Sequence, residues 1–299
     1  MAKIAVELDH ALARRKEDGT PGQTAPRVVA KGDGWSVADV VCTCGPADHP
    51  YEERHSRDTI AIVQAGSFEY RSAAGRALMA AGSLMLGSHG QCFECAHRHG
   101  EGDRCVSFWY APDYFERLAA DAGAHGIDRR FKVPALPALR QLSSVVARAS
   151  VGMRGAADAP WEELAVALAA GAVRLASGLS AQRNGLPLNA AASVTRAVQM
   201  IDRHPDKALT LGRLAREAGL SPYHFLRTFK SLIGITPHQY VLRVRLRGAA
   251  RRLATDASRV LDVALDCGFG DVSNFNRAFR AEFGESPLAF RRASGQVRS

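Results

Sequence analysis

The 299-residue sequence contains no apolar run approaching the roughly 20 residues that a transmembrane helix needs. Its N-terminus, MAKIAVELDH, has neither the apolar core nor the small-residue cleavage site of a secretory signal peptide. Membrane insertion and secretion are therefore not predicted, and we expect a cytoplasmic protein. Two domains are expected at this length, because a typical domain has about 100–200 residues.

Cysteine is also scarce, with six residues in the whole chain. In a reducing cytoplasm such thiols stay free, bind metals or act as redox sensors, and structural disulfides are rare. The sequence therefore does not predict a disulfide-stabilised fold. Three of the six thiols nevertheless fall in one short polar segment, CFECAHRHGEGDRC, which runs from Cys92 to Cys105.

Acidic residues are few in the last third of the chain. From Ala191 to Ser299 there are 18 Lys/Arg and 9 Asp/Glu, whereas the first 190 residues contain 21 of each kind. The net charge of +9 thus belongs entirely to the C-terminal third. Such segregation is typical of a module that binds a polyanion, and a solvated basic surface is the alternative.

Local patterning divides the chain into five parts and predicts an α+β fold. Residues 1–30 are polar and predict a mobile tail. Residues 31–112 alternate short apolar runs with Gly-containing turns, which is typical of an antiparallel β-sandwich or barrel. Residues 113–180 have the periodicity of two or three amphipathic helices. A linker is predicted at 181–190, which contains Asn-Gly and Pro, and residues 191–293 are predicted to be all helical.

Two segments of the C-terminal region repeat the same pattern. The first, LGRLAREAGLSPYHFLRTFKSLIGITPHQY, begins at Leu211, and the second, VLDVALDCGFGDVSNFNRAFRAEFGESPLAF, begins at Val260. Matching Ala, Gly, Phe, Arg and Pro positions are offset by 49 and then 50 residues, so the second copy has one extra residue in its turn. Each copy predicts a helix, a Gly-containing turn and a second helix with Phe at i and i+4 on one face. That arrangement is a helix-turn-helix.

The second helix of each copy exposes polar side chains opposite its phenylalanines. Arg pairs with guanine and Asn with adenine, and an exposed Leu could contact a thymine methyl group. Between the copies, TPHQYVLRVRLRGAARRLATD predicts one continuous helix, which would orient both second helices towards successive major grooves of double-stranded DNA. The predicted DNA-contacting residues are Tyr223, His224, Leu226, Arg227, Lys230, Ser273, Asn274, Asn276, Arg277 and Arg280.

This region resembles the DNA-binding domain of the AraC/XylS-type transcription regulators. The resemblance rests on the first copy and on VALDCGFGDVSNFNRAFRAEFGESPLAFRR in the second. One departure is Val272, an apolar residue at the start of the second reading helix. The resemblance implies sequence-specific DNA binding, transcription regulation and a contact with RNA polymerase.

The same resemblance extends to the N-terminal region. The segments PYEERHSRDTIAIVQAGSFEY and LMAAGSLMLGSHGQCFEC resemble the two sequence blocks of a cupin-like β-barrel, which in many relatives binds a small effector. The helices of residues 113–180 would then be dimerisation helices, and the protein would be a homodimer.

The Cys92–Cys105 segment carries ligand types suited to a thiophilic metal. Cys95, His97 and His99 alternate along the chain, so on a β-strand they would share one face. Cys92 and Cys105 could close the site from flanking turns. Such ligands suit tetrahedral Zn²⁺, and another thiophilic transition metal is equally allowed. A nearby CTC segment, Cys42–Cys44, with His49, Glu53 and His55, could add ligands from an adjacent strand. The predicted metal ligands are Cys92, Cys95, His97, His99 and Cys105.

Other hypotheses stay open at this point. The thiols could be redox sensors, because His97 and Arg98 beside Cys95 would favour thiolate, or they could be small buried hydrophobes, as Cys267 is expected to be. A cupin-type metalloenzyme is disfavoured by the lack of a His-x-His-x-x-x-x-Glu…His set. A Zn-thiolate methyl-acceptor protein is disfavoured by the cysteine spacing. A non-specific nucleoid-type binder would not need two reading helices with Asn and Arg.

Overall fold

A computed structural model describes residues 3–123, 130–153, 159–178 and 188–294. Among these residues no helix is long and apolar enough to cross a membrane. The strands are β1 (Thr24–Gly32), β2 (Trp35–Cys42), β3 (Glu52–Arg54), β4 (Asp58–Ser72), β5 (Gly75–Ala80), β6 (Leu84–Gly87), β7 (Cys92–Ala96), β8 (Asp103–Tyr110) and β9 (Ala135–Leu136).

Helices flank and follow these strands, in agreement with the predicted α+β composition. A short 3-10 helix, Arg140–Leu142, precedes the third α-helix. The α-helices are α1 (Lys3–Asp18), α2 (Pro112–Asp121), α3 (Ser143–Gly152), α4 (Trp161–Ser177), α5 (Leu188–Arg203), α6 (Leu211–Ala218), α7 (Pro222–Ile233), α8 (Pro237–Thr255), α9 (Val260–Asp266), α10 (Val272–Phe283) and α11 (Pro287–Ala293).

The strands pair antiparallel in the order β1-β2-β8-β4-β6-β9. The long strand β4 belongs to two halves of the sheet: its first part pairs with β8 and β6, and its second part pairs with β5 and β7. A register shift between Val63 and Ala65 marks the junction. Gly66 follows with φ 79°, and a Cβ at this position would lie 2.7 Å from the Asp103 Cα. Glycine therefore allows the close approach of β4 to the start of β8.

Side chains alternate between the two faces of the sheet, as the strand period requires. One face, which includes Ile60 and Phe108, packs against α2, α3 and α4 to form the largest core. The opposite face, which includes Val63 and Cys105, packs against Tyr70 from the other half of the sheet. The N-terminal part thus has an apolar core on each face of the sheet.

The first 30 residues differ from the predicted mobile tail. They contain α1 and most of β1, and β1 pairs with β2 along its length. Helix α1 is held by Leu8, which is buried, and by ion pairs of Arg15 with Asp48 (2.7 Å) and Lys16 with Glu101 (2.9 Å). The prediction was wrong because the partners of these polar residues lie far along the chain.

Two further predicted segments are the helical region 113–180 and the linker 181–190. The helical periodicity of residues 113–180 is confirmed by α2, α3 and α4, although the short strand β9 also lies in this range. Residues 181–187 of the predicted linker lie outside the described residues. Residues 188–190 are the first turn of α5.

The C-terminal helices contain two further cores, one for each sequence copy. The first surrounds Phe225 and Phe229 and includes Leu78 of β5. The second surrounds Phe275 and Phe279 and continues to α3 of the N-terminal part. Each copy therefore packs against a different element of the N-terminal part.

Candidate nucleic-acid interface and thiol cluster

The two sequence copies fold into matching helix-turn-helix units, which confirms the repeat. We call α6 and α7 unit one, and α9 and α10 unit two. The turn of unit one is closed by a hydrogen bond from the Leu220 N–H to the Ala215 carbonyl (2.9 Å), and unit two has the same bond from Phe269 to Ala264 (3.0 Å). The extra residue of unit two, Gly270, lies between this bond and the start of α10, as predicted.

The reading helices α7 and α10 begin and end by the same physical means. The side chain of Ser221 accepts the His224 N–H at the start of α7, and that of Asp271 accepts the Asn274 N–H (2.7 Å) at the start of α10. Both helices end at a left-handed glycine, with φ values of 80° and 81°. Because these caps satisfy otherwise unpaired backbone groups, the local sequence fixes both boundaries.

The predicted DNA-contacting residues lie on the faces opposite the buried phenylalanines. All of them are exposed except Leu226, which is half-buried. Val272, the departure from the family pattern, is also half-buried. The exposed set offers amide, hydroxyl, imidazole and cationic groups, the chemistry that base edges and phosphates require.

The central arginine of each reading helix is held by a neighbour one turn away. In α7 the Arg227 guanidinium lies over the Tyr223 ring, 5.8 Å from its centroid. In α10 Arg277 donates a hydrogen bond to the Asn274 Oδ1 (3.2 Å). These contacts restrict two flexible side chains while leaving both exposed.

The basic charge of the C-terminal third is not all available to DNA. Arg245 donates to the carbonyls of Pro205 (2.7 Å), Lys207 (2.8 Å) and Gly268 (2.8 Å), which ties the ends of α5 and α9 to α8. Others that bond to carbonyls or carboxylates are Arg196, Arg243, Arg247, Arg252 and Arg291. Charge counting alone therefore overstates the DNA-facing surface.

The continuous helix predicted between the units is confirmed as α8. Its 19 residues span about 28 Å at 1.5 Å per residue. Beside α10, a surface groove is lined by Asn276, Arg277 and Arg280, and by Arg140 from the N-terminal part. Sequence reasoning missed Arg140, because nothing near it in the chain places it next to a reading helix.

Comparison with known proteins finds several similar chains. A family model described as a helix-turn-helix domain matches residues 214–293. A solved transcriptional regulator from Chromobacterium violaceum, described as having an AraC-type DNA-binding domain, is 26% identical over 36% of this chain and 95% of that chain, with a TM-score of 0.34. LumQ of Photobacterium leiognathi is 41% identical over 90 residues, which are 30% of this chain and 36% of LumQ. The transcriptional activator RhaS of Salmonella dublin is 30% identical over 197 residues, which are 63% of this chain and 69% of RhaS. This chain belongs to the AraC/XylS family of transcription regulators.

The two curated matches differ in extent. The chain spans about a third of LumQ, 36% of its length, whereas the match with RhaS is more than twice as long in residues. For an AraC/XylS regulator the repeated units are the expected DNA-binding part, and the family model covers most of both.

The N-terminal part of this AraC/XylS regulator contains a cluster of buried polar side chains where the end of β2 meets the start of β8. Cys42 ends β2, Asp103 begins β8 as its register partner, and His97 follows β7. The Cys42 Sγ, a His97 ring nitrogen and an Asp103 carboxylate oxygen lie within 4.8 Å of one another. All three residues are buried, with 7%, 5% and 5% exposure. We call this group the Cys42–His97–Asp103 cluster.

Hydrogen bonds join the cluster internally and to a further thiol. The His97 Nε2 lies 2.7 Å from the Asp103 Oδ1, and the Cys105 thiol donates to the Asp103 Oδ2 (3.2 Å). Burial opposes protonation of His97, but its hydrogen bonds to Asp103 and Cys42 and the Asp103 charge outweigh burial and raise the pKa of His97 to about 10. Burial raises the pKa of the Cys42 and Cys105 thiols.

The predicted five-residue metal set is therefore only partly brought together. Within the described ranges, Cys42, His97 and Asp103 are the one group of three or more such ligands whose donor atoms lie this close. Strand β7 ends at Ala96, so alternation no longer governs His97 and His99, and the His99 Nε2 lies 4.0 Å from a Glu69 oxygen instead. Cys92 pairs with Arg54 at the other end of β7.

The same environment bears on two hypotheses about individual cysteines. Desolvation raises the pKa of the Cys95 thiol well above the ordinary value, which opposes the thiolate that a redox sensor would use. The neighbouring Arg98 side chain lies 3.8 Å from Glu69 rather than supporting a thiolate. Cys267 is buried in the core of unit two, as expected.

Proposed function

We propose that this protein is a sequence-specific DNA-binding transcription regulator that reads two neighbouring DNA segments with α7 and α10. The observation that carries the proposal is the pair of matching helix-turn-helix units, each with a capped reading helix whose polar face is exposed. Arg227 and Arg277 occupy equivalent positions in these helices. We propose that each contacts a base edge, with Lys230 and Arg280 on phosphates.

The position of Arg140 extends the proposed surface. Arg140 is exposed and lines the same groove as Arg277 and Arg280. Arg140 is thus the third cationic side chain along this groove, and it would attract the phosphate backbone beside the DNA segment that unit two contacts. The N-terminal part would then contribute directly to DNA affinity.

The N-terminal sheet and the helices α2–α4 are proposed to receive a small-effector signal and to form a homodimer. Support comes from the cupin-like sequence blocks and from family membership. Sedimentation of the full chain would measure the oligomeric state, and a monomer at micromolar concentration would contradict the dimer. The matched relatives are named as regulators, and we propose no enzymatic activity.

The proposal is tested by selecting binding sites from random DNA with the full chain and then measuring affinity by fluorescence anisotropy. We expect Arg227→Ala and Arg277→Ala each to weaken binding to the selected site by about 1–3 kcal/mol and to relax the sequence preference at one position in different halves of the site. The matched control is Arg174→Ala, an exposed arginine on α4, which should leave affinity unchanged.

The same measurements on random DNA separate base reading from charge attraction. If the two arginines contact bases, their replacement should affect random DNA much less than the selected site. An equal loss on both DNAs would contradict the base-reading role and would favour a non-specific binder.

A further inference from the structure

The Cys42–His97–Asp103 cluster has a composition that a simple structural ion pair does not explain. A buried His97–Asp103 pair would satisfy its own charges, yet a thiol lies on either side of it. All six cysteines of the chain are free, so the thiols do not serve a disulfide. Soft sulfur, imidazole nitrogen and carboxylate oxygen together form the donor set that proteins use for Zn²⁺.

The separation of the donor atoms suits a single metal ion after small side-chain adjustments. Ligand bonds to Zn²⁺ of about 2.0–2.3 Å place the donors of a tetrahedral site about 3.3–3.8 Å apart. The three donors of the cluster already lie within 4.8 Å of one another. Metal binding would replace the 2.7 Å His97–Asp103 hydrogen bond, so these two donors would separate while the Cys42 Sγ moves closer, and side-chain rotations supply such movements.

Two further thiols are placed to complete the coordination. Cys105 bonds to the Asp103 carboxylate from the apolar side, and the half-buried Cys44 is hydrogen-bonded to Cys42 from the more exposed side. Each adjoins one member of the cluster, and either one is a candidate for the fourth ligand of a closed tetrahedral site after a further side-chain movement. Cys44 also marks the route by which an ion would enter, because it is the more accessible of the two.

The surroundings of the cluster are largely apolar and are fixed by the sheet. The Phe68 ring lies 5.7 Å from the His97 ring, and Cys105 belongs to the apolar core that contains Phe68 and Met85. Strand pairing holds Cys42 opposite Asp103, and the close approach of Gly66 supports the start of β8. An apolar shell on rigid strands strengthens metal coordination by excluding water.

From this geometry we propose that Cys42, His97 and Asp103, completed by Cys44 or Cys105, form a binding site for a thiophilic divalent metal ion such as Zn²⁺. The ligand set differs from the one that the sequence alone predicts: it excludes Cys92, Cys95 and His99, takes Cys42 from the CTC segment and adds Asp103. The site is a property of the N-terminal part, so the inference does not depend on the proposed DNA-binding function.

The test uses the reduced full-length protein after chelator treatment. Titration with Zn²⁺ against a chromophoric chelator should show one equivalent of tightly bound metal. We expect Cys42→Ser and His97→Gln each to weaken Zn²⁺ binding by about 100-fold or more. The matched controls are Cys92→Ser and His99→Gln, which should leave the affinity within a factor of about three. Parallel variants Cys44→Ser and Cys105→Ser identify the fourth ligand, because only one should lose affinity.

A variant-free measurement covers the case in which a buried substitution prevents folding. X-ray absorption of the Zn²⁺-loaded wild-type protein should show a mixed shell with two sulfur neighbours at about 2.3 Å and at least one imidazole. A shell of only nitrogen and oxygen, or substoichiometric binding by the folded wild-type protein, would overturn the proposal. Loss of binding in Cys92→Ser or His99→Gln, with Cys42→Ser unaffected, would overturn it in favour of the set predicted from sequence.

Discussion

Units one and two of the DNA-binding part have the same backbone hydrogen bonds and helix ends, but the side chains on their exposed faces differ. Both have the turn hydrogen bond, the capped reading helix and the left-handed glycine that ends it. Their reading arginines are held differently, by the Tyr223 ring in one and by Asn274 in the other. The repeat thus fixes where a reading helix lies, and the exposed residues decide what it reads.

The units also differ in how they meet the rest of the molecule. After unit one, the Tyr240 hydroxyl of α8 bonds to the half-buried Asp202 of α5 (3.2 Å), whereas Phe290 stands at the equivalent place after unit two and has no hydroxyl. Unit one packs on β5, and unit two on α3. Signals from the N-terminal part would therefore reach the two units through different contacts.

The largest effects on stability are expected from the aromatic cores of the two units. Phe229→Ala and Phe279→Ala should each lower the free energy of unfolding by about 3–5 kcal/mol, because both side chains are fully buried. Phe279 should cost more, since it contacts three aromatic rings and Phe229 contacts two. Urea denaturation measures both. Leu288→Ala, which is 53% exposed, is the control, and a loss as small as the control's would contradict the prediction.

Asp202, which accepts the Tyr240 hydroxyl next to unit one, should make the stability of the protein depend on pH. Burial raises the pKa of Asp202 from 3.8 to about 6, even though Arg247 and the Tyr240 hydrogen bond lower it. Because the folded state binds the proton more tightly, this contribution to stability is present at low pH and is lost as pH rises through 6. Between pH 5 and pH 7 the wild-type protein should lose about 1 kcal/mol relative to Asp202→Asn, measured by urea unfolding. Equal pH dependence in the two proteins would contradict this assignment.

The N-caps of the two reading helices differ in charge, because Ser221 is neutral and Asp271 is negatively charged. Ser221→Ala and Asp271→Ala should each cost about 1 kcal/mol of folding free energy, because each removes the acceptor of a helix N–H. Asp271→Ser keeps the acceptor and removes the charge, so it should cost only a few tenths of a kcal/mol at low salt. Thermal unfolding of the three variants tests this order, and an Asp271→Ser loss equal to that of Asp271→Ala would contradict the capping role.

The smallest expected effect concerns the neighbours of the reading arginines. Tyr223→Ala should weaken binding to the selected DNA site by about 0.5–1 kcal/mol, because the ring no longer orients Arg227, while Tyr223→Phe should retain affinity. Asn274→Ala should have a similar effect through Arg277. Double-mutant cycles by anisotropy measure the coupling in each pair. Additive losses would show that the neighbours do not position the arginines.

Most of the C-terminal fold could be predicted from the sequence, since its determinants are local. Ser221, Gly219 and the Phe225–Phe229 spacing define unit one within a few residues, and the second copy repeats them with one residue added in the turn. The exposed reading faces follow from helical periodicity. The structural use of Arg245 could not be predicted in this way, since its carbonyl partners belong to other helices.

In the N-terminal part, by contrast, contacts between distant residues decide most of what the sequence did not predict. Its alternating apolar runs predicted antiparallel strands, but the docking of α1 and the pairing of Cys42 with Asp103 depend on residues far apart in the chain. Of the predicted metal set, His97 alone lies in the Cys42–His97–Asp103 cluster. The sequence singled out the polar segment and offered the Cys42–Cys44 segment as a source of further ligands, but it did not single out Asp103.

The sequence by itself determined the repeat, the caps, the continuous helix α8 and the exposed faces of α7 and α10, because helices are specified by hydrogen bonds and side-chain spacing within a few residues. Only the tertiary structure decided which basic residues hold the fold, which N-terminal element supports each unit and which donor atoms meet at the edge of the sheet. These depend on strand register and on packing between distant segments, and no local spacing encodes them.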